Sequence, residues 1–128
     1  MGTWWSDGFR KLNMDNLSKR HCEACRVGSL PVTDSELKIF SENFKEWELL
    51  NENGIRKIKK QFKFPNFQEA LSFTIKMGKL SEEQGHHPLL TLEWEKVSVI
   101  WWTHKIKDLH MNDFIMASKT DELFMKYY

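Results

Sequence analysis

Long hydrophobic runs are missing from this chain. No apolar stretch approaches the ~20 residues a membrane-spanning helix needs, and no secretory h-region is visible, so no membrane partner is expected and the cytoplasm is the expected setting. An excess of one charge is missing too: 19 Lys+Arg stand against 18 Asp+Glu, a net +1. That balance carries none of the basic footprint of a nucleic-acid-binding surface, and no nucleic acid is expected as a partner. Cysteine is scarce. The 2 present, Cys22 and Cys25, lie in His21-Cys22-Glu23-Ala24-Cys25, where a CxxC invites a zinc or redox reading. A structural zinc takes about four ligands, and no second CxxC or HxxxH completes the set. Two reduced thiols are the expectation, with adventitious or oligomer-shared metal as the alternative.

What is there fits one soluble domain. The 128 residues are 41% hydrophobic and 29% charged, enough for a modest core. Aromatics are plentiful, with 9 Phe, 6 Trp and 2 Tyr. They suit a core or an interface, and equally the walls of a slot for a flat ligand.

Residues 1–20 show no sustained periodicity and read as an N-terminal extension carrying Trp4 and Trp5; the domain proper is expected over 21–128. Thr33-Asp34-Ser35-Glu36 has the spacing of a capping box, and Leu37, Phe40, Phe44 and Trp47 follow as one helical stripe. A short strand from Trp47 to Leu50 leads into the turn Asn51-Glu52-Asn53-Gly54 and a return strand from Ile55 to Phe64. In that strand Ile58, Lys60, Phe62 and Phe64 share one parity, while Lys57, Lys59, Gln61 and Lys63 take the other, wet face. Asn66 caps a second helix whose buried stripe is read as Phe67, Ala70, Leu71, Thr74, Met77 and Leu80. Two more strands, Leu89 to Trp94 and Val97 to Thr103, are joined by Glu95-Lys96, and a last helix starts at Asp113. The order α-β-β-α-β-β-α predicts an α+β fold, a two-layer sandwich with a four-stranded antiparallel sheet and three helices on one face.

Against this frame the histidines gather. Glu83-Gln84-Gly85-His86-His87-Pro88 places two imidazoles where glycine and proline end a helix. His104 closes the strand that pairs by a tight turn with the one Pro88 opens, so His86 and His87 come near it. Asp113, at a helix start, can return to the same rim. Three readings stay open on spacing alone. The residue types suit a metal, but adjacent histidines seldom both reach one ion and no HxH spacing is present. A structural polar network is the plain alternative. An acid–base site is the third, because imidazole both gives and takes protons near neutral pH.

The pattern Glu82-x3-His86-His87-Pro88-x5-Trp94-x9-His104-x8-Asp113 resembles the signature of the pterin-4a-carbinolamine dehydratases, and its surroundings resemble the bacterial members. The similarity spans about residues 21 to 126. It implies the fold read above, and an enzyme that eliminates water from 4a-hydroxytetrahydropterin to give quinonoid dihydropterin. This would recycle the pterin cofactor of aromatic amino acid hydroxylation, with a functional link to a hydroxylase. No cofactor and no metal are implied, pterin being the substrate; a homodimer or homotetramer is. Carried over by position, His86, His87, His104 and Asp113 are the implied catalytic group, with His87 abstracting a proton and Asp113 orienting an imidazole. Glu82, Pro88, Trp94 and Trp102 are candidates for substrate binding. The rival implication is a non-catalytic dimerisation or interaction module on the same fold.

Overall fold

The computed structural model describes residues 16–23 and 26–128; the expectations for Trp4, Trp5 and Cys25 lie outside the described residues. Its regular elements are α1 (Asp34–Asn43), β1 (Glu48–Glu52), β2 (Ile55–Lys63), α2 (Phe67–Gln84), β3 (Leu89–Glu93), β4 (Lys96–Trp101) and α3 (Met111–Tyr127). The strands form one antiparallel sheet in the order β1-β2-β4-β3, and the α+β architecture is the expected one.

Local chemistry explains the boundaries. At the start of α1 the Glu36 amide donates to Thr33 Oγ1 at 3.1 Å and the Thr33 amide donates to Glu36 Oε1 at 2.9 Å, so the capping box is complete. The helix stops at Asn43, earlier than the stripe predicts. Trp47 lies beyond it, yet is 4% exposed, with its indole N–H donating to Asp121 Oδ2 at 3.0 Å. The β1–β2 hairpin closes with two residues, Asn53 (φ 55°) and Gly54 (φ 82°), the left-handed pair that matches strand twist.

One face of the sheet is buried. Ile58 and Phe62 of β2 and Val97, Val99 and Trp101 of β4 point into the core. Lys60 shares their parity and has two partners: Nζ lies 2.8 Å from Asp121 of α3 and 2.9 Å from Glu46 in the link before β1. Burial pulls the Lys60 ammonium down, but these two carboxylates outweigh it and hold it above its ordinary value.

Helix α2 buries Ala70, Phe73, Met77 and Ser81. Phe73 packs against Phe62 and Phe64 at 5.0 and 5.2 Å between ring centroids. Turning the helix to bury Phe73 carries Phe67 and Leu71, expected in the stripe, out to 49% and 40% exposure. The stretch 16–20, read from sequence as part of the extension, contributes Leu17, fully buried in the core, and its Ser18 carbonyl accepts from Lys119 at 2.8 Å. A single leucine in a short 3-10 turn has no periodicity through which a sequence could announce it.

Candidate active site

Gly85 takes a left-handed φ of 63° at the end of α2, and the His86 amide bonds back to the Ser81 carbonyl at 3.2 Å. This six-to-one bond is the Schellman arrangement that a C-terminal glycine permits. Pro88 keeps His87 before it off the helical region, and the two neighbouring rings part. His86 turns inward, 8% exposed, while the side chain of His87 is 58% exposed.

His86 meets Asp113. Its Nε2 lies 2.6 Å from Asp113 Oδ1, and its ring lies parallel to that of Trp101, with centroids 5.7 Å apart. Asp113 is wholly buried, and its other oxygen accepts from Thr103 Oγ1 at 2.8 Å and from the His110 amide at 2.9 Å. Helix α3 begins at Met111, before the expected Asp113, because His110 caps it: its Nδ1 accepts from the Asn112 amide at 2.9 Å. The carboxylate thus sits in the first turn of a helix, where the backbone dipole favours negative charge. A carboxylate only accepts, so Nε2 of His86 is the donor of their bond.

His104 takes the opposite situation. Strand β4 ends at Trp101, short of the expected Thr103, and Thr103 bridges to Asp108 across a turn in which Lys107 adopts φ 52°. His104 stands exposed at the start of that turn, with its ring 4.3 Å from the Trp102 ring. Lys57 Nζ lies 4.0 Å from the Trp102 centroid, a cation–π contact. The turn is clamped from β2: Arg56 reaches both Asp108 oxygens, at 2.7 and 3.1 Å, and the Val32 carbonyl at 3.1 Å. Its bond to Asp108 holds the Arg56 guanidinium above its ordinary value. Burial pushes the Asp108 carboxyl up, but Arg56 and the Leu109 amide outweigh it and hold it below the usual range.

The pairing of Leu89 with Ile100 puts the start of β3 beside the end of β4. His86, His87, Pro88, Trp102, His104 and Asp113 accordingly share one end of the sheet, with Glu82 Oε1 2.9 Å from His87 Nε2. Trp94 does not join them. Glu93 pairs with Lys96, so Trp94 forms the tip of the hairpin at the other end, 68% exposed and roughly 20 Å along the strand from Pro88.

Sequence reasoning missed Thr103 and His110, the two groups that fix Asp113. The signal for His110 was its position three residues before Asp113, the spacing of a capping box, obscured because histidine is not a usual cap. Thr103 lay on the inward parity of its strand but drew no attention as a hydroxyl. Among the described residues no three His, Cys, Asp or Glu side chains converge as a metal site.

The arrangement supplies one imidazole locked by a buried carboxylate and two solvent-facing imidazoles, His104 against the Trp102 indole and His87 beside Glu82. Comparisons with known proteins show which family shares this sequence and fold. A model of the family described as pterin 4 alpha carbinolamine dehydratase matches residues 30–123. A protein of Nitrosococcus oceani, provisionally named a pterin-4-alpha-carbinolamine dehydratase, is 49% identical over 110 residues, covering 86% of this chain and 97% of its own. A counterpart in Saccharophagus degradans, with the same provisional name, is 47% identical over 111 residues, covering 87% and 98%. Among solved structures, a transcriptional coactivator/pterin dehydratase from Brucella melitensis superposes with a TM-score of 0.66 at 26% identity, over 73% of this chain and 98% of that one. A pterin dehydratase-like RuBisCO assembly factor of the alpha-carboxysome shares the fold, with a TM-score of 0.52 at 20% identity over 61% and 88% of the two chains. By the extent of the family match and the identity to these relatives, the chain belongs to the pterin-4a-carbinolamine dehydratase family.

Proposed function

We propose that this protein dehydrates 4a-hydroxytetrahydropterin to quinonoid dihydropterin by histidine acid–base catalysis. The observation that supports it most is the buried Asp113 holding His86 at 2.6 Å on a rim that also carries the exposed His87 and His104. The reaction breaks the C4a–O bond, removes the N5 proton and forms the C=N bond. The hydroxyl leaves as water once it gains a proton. His87 takes the N5 proton, and His104 with His86 flanks the hydroxyl. A positioned acid–base group of this kind contributes about 10²–10⁴-fold. Asp113 orients His86 rather than touching the pterin. Trp102 offers a face for the flat ring, Pro88 shapes the edge beside it, and Glu82 anchors the pterin edge when released from His87.

The reaction needs no metal and no cofactor, since pterin is the substrate. Its substrate is the 4a-hydroxylated pterin that an aromatic amino acid hydroxylase leaves, and its product is the quinonoid pterin that reduction returns to use, which links this protein to such an enzyme, in the cytoplasm. The outer edges of β1 and β3, which no strand pairs among the described residues, offer a route to a homodimer or homotetramer. The test is stopped-flow decay of 4a-hydroxytetrahydropterin with and without the protein. Acceleration proportional to protein concentration supports the reading; an unchanged decay leaves the fold as a binding module and overturns it.

A further inference from the structure

The His21-Cys22-Glu23 segment lies against the two elements that meet at the site. The Cys22 amide donates to Gln84 Oε1 at 3.0 Å, and Gln84 Nε2 lies 3.4 Å from His21 Nδ1. One residue on, the Glu23 amide donates to Asn112 Oδ1 at 3.1 Å and the Glu23 carbonyl accepts from Asn112 Nδ2 at 2.8 Å. Its carboxylate lies 3.2 Å from His110 Nε2. Because Nδ1 of His110 is occupied as an acceptor from Asn112, Nε2 carries the proton and faces the Glu23 carboxylate.

The placement of these grips is what matters. Gln84 is the last residue of α2, two before His86. Asn112 is the neighbour of Asp113 in the first turn of α3 and is 1% exposed, so its amide is buried and committed to the backbone of residue 23. His86 and Asp113 stand 27 residues apart in sequence, on two elements that a one-residue step of the 22–23 backbone ties together.

We propose that residues 21–23 form a strap that positions His86 against Asp113, with Gln84 and Asn112 as positioning residues of the reaction. The strap touches no reacting atom. It fixes the separation of the end of α2 from the start of α3, and so the geometry of the imidazole–carboxylate bond. A misplacement on the order of 1 Å in such a pair costs up to about 10²-fold in rate. The strap holds the Gln84 and Asn112 side chains through backbone atoms of Cys22 and Glu23, with the Cys22 thiol 3.9 Å from the Asn112 carbonyl and the Glu23 carboxylate beside His110, a role that requires no redox or metal chemistry of the cysteine. The kinetic consequence rests on the dehydratase reading; the geometric one does not.

The test uses the full chain with Gln84→Met, Asn112→Leu and the two combined, and Gln84→Glu as the variant that keeps an acceptor for the Cys22 amide. Two readouts are taken on variants whose circular dichroism matches the parent. The first is kcat and KM for carbinolamine dehydration. The second is the proton resonance of the His86 Nε2–H, assigned by its loss in His86→Gln. The strap predicts that Gln84→Met and the double variant lower kcat by about tenfold or more with KM within about twofold. The imidazole resonance shifts or broadens with them, and Gln84→Glu restores both readouts. A lower melting temperature with an unmoved resonance and unchanged kcat would mean a plain structural tether and would overturn the proposal. If the parent lacks dehydratase activity, the resonance decides alone: unmoved in Gln84→Met, it defeats the strap.

Discussion

Nε2 of His86 and Oδ1 of Asp113 lie 2.6 Å apart, both side chains withdrawn from solvent, with the second carboxylate oxygen held by Thr103 and the His110 amide. An acid that accepts at both oxygens has no freedom to rotate, so it dictates which nitrogen of His86 carries the proton.

Asp113→Asn tests that relationship. The amide keeps the shape but has one acceptor and one donor end. If its oxygen serves Thr103 and the His110 amide, its NH2 faces His86 and drives the ring proton to Nδ1. The expected result is a folded protein destabilised by about 1–3 kcal/mol, with kcat lowered more than about tenfold through the wrong tautomer. Nitrogen-15 spectra showing the parent tautomer, together with parent kcat, would contradict it.

Leu17→Ala tests the reach of the core toward the N-terminus. Leu17 is fully buried, so truncation should cost about 2–5 kcal/mol in urea melts. A loss under about 0.5 kcal/mol, the scale of an ordinary surface change, would place residues 16–20 outside the cooperative unit.

The Arg56–Asp108 clamp makes a prediction about acid. Asp108 is held below its ordinary 3.8, so it contributes stability above that pH and loses it as pH falls through the lower folded value. Asp108→Asn should therefore be less stable than the parent at about pH 6, by about 1.5–3 kcal/mol, with the gap narrowing below about pH 4. Urea melts across that range check it; a gap that stays constant into acid would show that the charge of Asp108 is not what holds the turn carrying His104.

Much of this was legible in the sequence wherever a local rule acted alone. The Thr33–Glu36 box, the Asn53-Gly54 turn, the strand parities and the Gly85 helix stop all follow from nearest-neighbour chemistry. The placement of His86 and His87 at the same end of the sheet as His104 followed from one inference, that a two-residue link makes neighbouring strands antiparallel, and that of Asp113 from the return of a helix start to that end. What the sequence hid depended on partners far along the chain. The rotation of α2 was set by Phe73 meeting Phe62 and Phe64. Leu17 was placed by α3, and Trp94 was separated from the rim by the length of a strand whose two ends look alike in a motif.

The account turns on histidine acid–base chemistry, and His87 and His104 test it most directly. Stopped-flow decay of 4a-hydroxytetrahydropterin would be followed for the parent, His87→Ala, His104→Ala and the double variant, each first shown to be folded. Each single change should lower kcat/KM by at least about 10²-fold. The double should lose far less than the product of the two, because both groups act in one proton-transfer event. Folded single variants that turn over at the parent rate would contradict the account, leaving the cluster as a polar network at the end of the sheet.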